Sequence, residues 1–171
     1  MTPTEQSFRA ELVGLLPRLR RFGRALTRHR EDADDVVQIA LERALNHQAQ
    51  WEPGTRLDSW MFRIMKNAWI DEVRARHRSS EVVVSEEDIE SIGVATADSH
   101  LDSLAIRGAM QQLSEDQRLV VSLVLVEGMP YKEAAEVLEI PIGTLTSRLA
   151  RARERLQELL TEDAGRSERG R

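Results

Sequence analysis

Hydrophobic positions fall three and four residues apart along most of this 171-residue chain, the spacing of one buried face on an α-helix. The first stretch, Phe8 to Leu26, places Phe8, Leu12, Leu15, Leu16, Leu19 and Phe22 on one side and Arg18, Arg20, Arg21, Arg24 and Arg28 on the other. Pro17 lies inside it and predicts a break or kink, because its ring removes a backbone donor. A second helix is expected from Glu31-Asp32, whose carboxylates suit the positive end of a helix dipole. Its buried face would be Val37, Ala40, Leu41, Ala44 and Leu45. Pro53-Gly54 marks a turn, and a third helix is expected from Leu57 to about His77, N-capped by Asp58 or Ser59.

Residues 79–100 show no sustained period and read as a connector. Beyond them helices are expected at Leu101–Leu113, from Ser114 through Val126, at Tyr131–Leu138 and from about Gly143 to Leu160. Ser114 and Gln117 have the spacing of a capping box, and Gly128 suits a helix end. The run "LVVSLVLV" is solidly apolar and is expected to be buried. The tail from 164 is polar and expected to fray. No strand alternation with hairpin signals is present. The pattern therefore predicts an all-α protein: one helical domain at 1–78, a flexible acidic linker at 79–100, a second helical domain at 101–163 and a polar tail at 164–171.

Charge sharpens that division. Residues 1–78 carry 14 basic and 11 acidic side chains, residues 79–117 carry 1 and 9, and residues 118–171 carry 9 of each. The overall charge of −5 thus hides a basic half and an acidic middle, and binding follows local patches rather than the mean. The chain has no cysteine, which excludes disulfides, thiolate metal sites and cysteine nucleophiles. No apolar run approaches the roughly 20 residues that span a bilayer, and the N-terminus lacks a signal pattern. A cytoplasmic protein without membrane insertion is expected. His29, His47, His77 and His100 stand apart, and no phosphate-cradling glycine motif occurs. Neither an enzyme nor a cofactor or metal site is expected.

The sharpest motif is "YKEAAEVLEIPIGTLTSRLARARERL". A short helix with Ala134, Ala135 and Leu138, a turn at Ile140, and a helix burying Leu145, Leu149, Ala152 and Leu156 make a helix-turn-helix, whose second helix enters the major groove. Thr144, Ser147, Arg148, Arg151 and Arg155 form its outer stripe, hydroxyls and guanidinium forks able to meet phosphates and base edges.

"PIGTLTSRLARARERL" resembles the recognition helix of extracytoplasmic-function sigma factors, bacterial initiation subunits of the sigma-seventy class. "LSEDQRLVVSLVLVEGMPYKEAAEVL" resembles the helices ahead of it, "EDADDVVQIALERAL" the core-polymerase-binding helix, and "DSWMFRIMKNAWIDEVRARHR" the minus-ten recognition helix. The four occur in family order over about residues 8–160. The resemblance implies binding of Asp34, Asp35, Gln38 and Glu42 to core RNA polymerase, at a basic coiled coil of β′ with further contacts to β. It implies minus-ten contacts from Trp51, Arg63, Lys66, Asn67 and Arg74, and minus-thirty-five contacts from Thr144, Ser147, Arg148, Arg151 and Arg155. It also implies an anti-sigma factor as a further partner; the free protein is expected to be monomeric. Four positions depart from the family pattern: Ile39 replaces an acidic residue, Leu41 a Phe, Thr146 a Lys or Arg, and Glu139 a frequent Gly.

Alternatives remain at this stage. Trp51 either stacks on an unpaired base or folds back over its domain. Glu81, Glu86, Glu87, Asp88, Glu90 and Asp98 either imitate nucleic acid in the polymerase or merely keep a spacer extended. A stand-alone helix-turn-helix regulator would explain residues 114–160 but leave "DADDVVQ" unassigned. A purely protein-binding helical module would have no use for the arginine stripe.

Overall fold

The computed structural model describes residues 3–79 and 97–169, and every regular element among them is helical. Helix α1 spans Pro3–Leu26, α2 Arg30–Asn46 and α3 Leu57–Ser79, with a short 3₁₀ turn at Gln48–Gln50. The second half contains α4 (Ala97–Gln111), α5 (Glu115–Val121) running into a π-helical turn at Ser122–Val126, α6 (Tyr131–Leu138) and α7 (Ile142–Arg169). The acidic stretch from Glu81 to Glu90 lies outside the described residues. So does its proposed role as linker.

The N-terminal three helices pack around Phe8, Leu12, Leu19, Phe22, Leu26, Met61, Phe62 and Met65, all buried. Gly23 permits the close crossing of α1 over α2: a Cβ there would meet the Ala33 carbonyl oxygen at 3.2 Å. Arg43–Asp71 and Arg76–Asp32 bridges tie α2 to α3. In the C-terminal half Leu119, Val120, Leu123, Ala134, Ala135, Val137, Leu145, Leu149 and Ala152 form the core.

Several details differ from the sequence pattern. Helix α1 runs through Pro17 unbroken, because the proline sits on an exposed position where losing one hydrogen bond leaves the carbonyl to water. The buried face of α2 is Ala33, Val36, Val37, Ala40 and Ala44; Leu41 is half-buried and Leu45 is 44% exposed. Helix α4 begins at Ala97 and ends at Gln111. Leu125 and Val126 emerge from the apolar run onto the surface, because the wider π turn carries the chain away from the core before Gly128 closes the segment at φ +66°. The tail does not fray at 164, since α7 continues to Arg169.

The Ser114 cap forms as its spacing predicts. Its hydroxyl accepts from the Gln117 N–H, and the Gln117 side chain accepts from the Ser114 N–H.

The two halves touch, which the hydrophobic periodicity does not predict. Helix α3 lies against α6, and α1 lies against α5 and the π turn. Arg118 joins them. Its guanidinium donates to the carbonyls of Met110, Gln111 and Leu113 at the end of α4 and of Leu26 at the end of α1. Carbonyls at helix C-termini have no partner within the helix, so one planar cation with five donors satisfies two ends together. Burial, with the charge of Arg28 nearby, pushes this guanidinium below its ordinary pKa.

Candidate functional site

Three surfaces carry the residues singled out by the sequence. On α2, Asp34, Asp35, Gln38 and Glu42 are all exposed, opposite the buried Ala33, Val37 and Ala40. The Gln38 amide donates to the Glu42 carboxylate at 3.2 Å, so the stripe is a continuous acidic strip along the helix. The helical register brings these four residues together as expected.

On α7 the alternation is equally clean. Leu145, Leu149 and Ala152 are buried while Ser147, Arg151 and Arg155 are exposed. Thr144 and Arg148 are half-buried, and Arg148 reaches Asp116 of α5 at 3.4 Å. Among the described residues Arg155 pairs with Glu158 on its own helix. Arg151 therefore stands most clearly outward, with α6 packed behind it. Helix α6 ends at Glu139, whose left-handed φ of 57° turns the chain into α7.

The third surface, on α3, is rearranged relative to expectation. Arg63, Asn67 and Arg74 are exposed. Lys66 is not: it is 5% exposed and its ammonium lies 3.3 Å from the Glu139 carboxylate of α6. Trp51 is also buried, at 8% exposure, with its ring centroid 5.3 Å from that of Phe8. The indole thus folds back over the first domain and offers no open face to a base here. The reason is packing: α1 begins early enough for Phe8 to lie between Trp51, which it meets at a tilt, and Trp60, which it meets edge-on. Trp69 is buried and Trp60 half-buried against the core, in keeping with their helical register.

Sequence reasoning missed the electrostatic hub that joins these surfaces. Asp58 does not cap α3; the helix starts one residue before it, at Leu57. Its carboxylate instead accepts from Arg56 at 2.8 and 3.1 Å, from Arg18 at 3.0 Å and from the Ser59 N–H at 2.8 Å. Arg18 and Arg21 continue to Glu127 after the π turn, and Arg56 continues to Glu133 of α6. The arginine-rich side of α1 signals such pairing only as excess charge. Its partners lie 40 residues away, at Asp58, and more than a hundred away, at Glu127.

Burial by itself would raise the Asp58 carboxyl, but hydrogen bonds from Arg56, Arg18 and the Ser59 N–H, with the Arg56 charge, hold it at about 2 against an ordinary 3.8. A folded pKa below the unfolded one contributes stability above about pH 4, which is lost as pH falls towards 2. With the side chain 10% exposed, that contribution is about 2 kcal/mol. Unfolding free energies measured at pH 5 and pH 2.5 should therefore fall less for Asp58→Asn than for the unsubstituted chain. Identical acid slopes for the two proteins would remove the hub from this account.

Among the described residues no group of histidine and carboxylate side chains is placed to hold a metal ion, and no helix is long and apolar enough to cross a membrane. What the geometry defines is a helical protein with an exposed acidic strip in one half and a helix-turn-helix with an outward arginine stripe in the other.

Comparison with known proteins agrees with both halves. Residues 12–66 match the Sigma2 domain of PhyR, and residues 103–156 match sigma-70, region 4. The chain is 34% identical over 163 residues to the ECF RNA polymerase sigma factor EcfG of Rhodopseudomonas palustris, covering 94% of this chain and 89% of that protein. It is 33% identical over 142 residues to the ECF RNA polymerase sigma factor SigM of Mycobacterium tuberculosis, covering 83% and 71%. The sigma factor RpoE of Bartonella quintana, solved in complex with the anti-sigma factor NepR, superposes with a TM-score of 0.79 at 34% identity, covering 91% of this chain and 98% of that one. CnrH, solved with the cytosolic domain of CnrY, shares the fold with a TM-score of 0.70 at 24% identity. The chain belongs to the ECF sigma factors of the sigma-70 family.

Proposed function

We propose that this sigma factor divides its work among the three surfaces described above. The acidic strip of Asp34, Asp35, Gln38 and Glu42 docks on a basic element of core RNA polymerase. Arg63, Lys66, Asn67 and Arg74 meet the minus-ten element, and Thr144, Ser147, Arg148, Arg151 and Arg155 meet the minus-thirty-five element. The observation that carries this reading is the pairing, in one chain, of an exposed acidic strip and an outward arginine stripe, each backed by its own core. The acidic strip would repel DNA and so suits a protein partner, whereas the arginine stripe suits DNA. The protein acts in the cytoplasm as a monomer when free. The complex of RpoE with NepR supports control by an anti-sigma factor here too.

A gel shift with promoter DNA tests the reading: a stable complex should need core polymerase as well as this chain. Binding by the chain alone with equal affinity would favour a stand-alone regulator. Reversing one charge of the strip, Asp35→Arg, should slow holoenzyme assembly about ten-fold at low salt, because complementary charge steers association. Stopped-flow or surface-capture kinetics would show this. An unchanged association rate would place the polymerase contact elsewhere.

A further inference from the structure

A small cleft beside the turn between α1 and α2 collects positive charge and no negative charge. Its walls are Arg24, Thr27, Arg28, His29 and Arg30 around that turn and Arg107 of α4, enclosing about 30 Å³. Elsewhere the arginines of α1 and α3 have carboxylate partners: Arg18, Arg21 and Arg76 lie 3.0, 2.9 and 2.6 Å from theirs. Among the described residues no carboxylate pairs with any of the four arginines of the cleft. The Nε of Arg24 is moreover buried without an acceptor. A donor cut off from water and left unmade carries the full desolvation cost of that group.

The ordinary reasons for an arginine at a helix end cover only part of this cluster. Arg24 lies in the last turn of α1, where a cation suits the negative end of the helix dipole. Arg30 is the opposite case. It is the first residue of α2, at the positive end of that helix, and the preceding His29 supplies no side-chain cap. Asp32 of the same turn is paired with Arg76 of α3 instead. The walls are also held in place. The Thr27 hydroxyl donates to the Gly23 carbonyl at 2.9 Å, and the Gln111 amide donates to the Thr27 carbonyl at 2.8 Å. Gln111 follows Arg107 by one helical turn on α4, so that bond sets Arg107 against the turn.

We propose that this cleft binds one phosphate group, held by the guanidinium groups of Arg24, Arg28, Arg30 and Arg107. Guanidinium forks match the spacing of phosphate oxygens, and a dianion with several acceptor directions answers four cations better than one carboxylate does. An oxygen accepting from the Arg24 Nε would satisfy the buried donor. Arg28, His29 and Arg30 are exposed at the mouth, so a bound phosphate would keep its remaining oxygens in water. The space excludes a nucleoside; a nucleotide would enter by its terminal phosphate alone.

Calorimetric titration of inorganic phosphate into the full-length chain, with ionic strength held constant by sodium chloride, tests the site. One saturable site is expected. Arg24→Gln and Arg107→Gln should each weaken it about ten-fold, the effect of losing one charge-assisted hydrogen bond. Arg9→Gln, which removes an exposed charge of α1 outside the cleft, should leave the affinity unchanged. Unchanged helical circular dichroism would confirm that the variants fold. No saturation up to about 10 mM phosphate, or equal weakening by all three substitutions, would overturn the proposal. Given a saturable site, adenosine diphosphate distinguishes the sources: competition with phosphate admits a terminal phosphate, and lack of competition restricts the site to the free anion. Phosphate binding that appears only after Glu81, Glu86, Glu87, Asp88 and Glu90 are replaced by glutamine would give the cleft to the chain's own carboxylates and overturn the proposal. A short single-stranded DNA oligonucleotide that binds these arginines where phosphate does not would overturn it as well.

Discussion

Replacing Trp51 by alanine should destabilise the N-terminal domain by about 3–5 kcal/mol, the range for truncating a buried large aromatic. The indole is 8% exposed and packs at a tilt against Phe8, which also contacts Trp60, so its removal opens a void between the start of α1 and the start of α3. Trp51→Phe should cost much less, under about 1.5 kcal/mol, since the aromatic contact is retained. The indole Nε1 is buried without a hydrogen-bond partner, so phenylalanine also relieves an uncompensated polar group. Denaturant unfolding of the three proteins gives the comparison. A Trp51→Ala protein as stable as the parent but unable to open promoters would restore Trp51 as a base-stacking residue.

At this residue the structure takes one of the two arrangements that the sequence leaves open, and the reason the sequence could not choose is physical. A tryptophan in a loop has no helical register, so periodicity cannot say whether it faces inward. The helices themselves were legible because each is amphipathic: α6 spans the residues its pattern predicts, and Leu145, Leu149 and Ala152 are buried as their spacing requires. On α2 the pattern named the right helix but rotated its face, since Ala33 and Val37 lie against Gly23 where α1 approaches closely, and Leu45 is left outside. Helix ends and π turns depend on single hydrogen bonds, which composition does not report.

Polar long-range pairs were the least legible. Asp58 has the look of a cap, and only the fold brings Arg18 and Arg56 to it. Glu139 reads as an odd substitution for glycine until α3 supplies Lys66. Glu139 belongs to the contact between domains, and Asp58 holds the two arginines that reach across it to Glu127 and Glu133; neither kind of pairing leaves a periodic trace in its own segment. By contrast the acidic strip of α2 and the arginine stripe of α7 are legible because each lies on one helix, where register alone decides which side chains share a face.

The arginine stripe is where the largest functional loss is expected. Arg151 and Arg155 project from α7 one turn apart, both exposed. The contact that competes with DNA for them is the Arg155–Glu158 pair on the same helix, which as a surface ion pair contributes little. Their removal should therefore leave the core around Leu149 and Ala152 intact. Each arginine that contacts a base or phosphate contributes about 1–3 kcal/mol, so Arg151→Ala with Arg155→Ala should weaken minus-thirty-five binding by about 2–6 kcal/mol, less whatever coupling two neighbours one turn apart share. In holoenzyme assembled from the full-length chain, promoter affinity should drop at least about thirty-fold, and its dependence on salt should flatten as phosphate contacts are lost. Assembly with core polymerase should not change, because the acidic strip of α2 is untouched. Equal promoter affinity for a folded double variant would mean that α7 does not present this stripe to the groove, and the recognition surface would have to be sought on Thr144, Ser147 and Arg148 at the helix start instead.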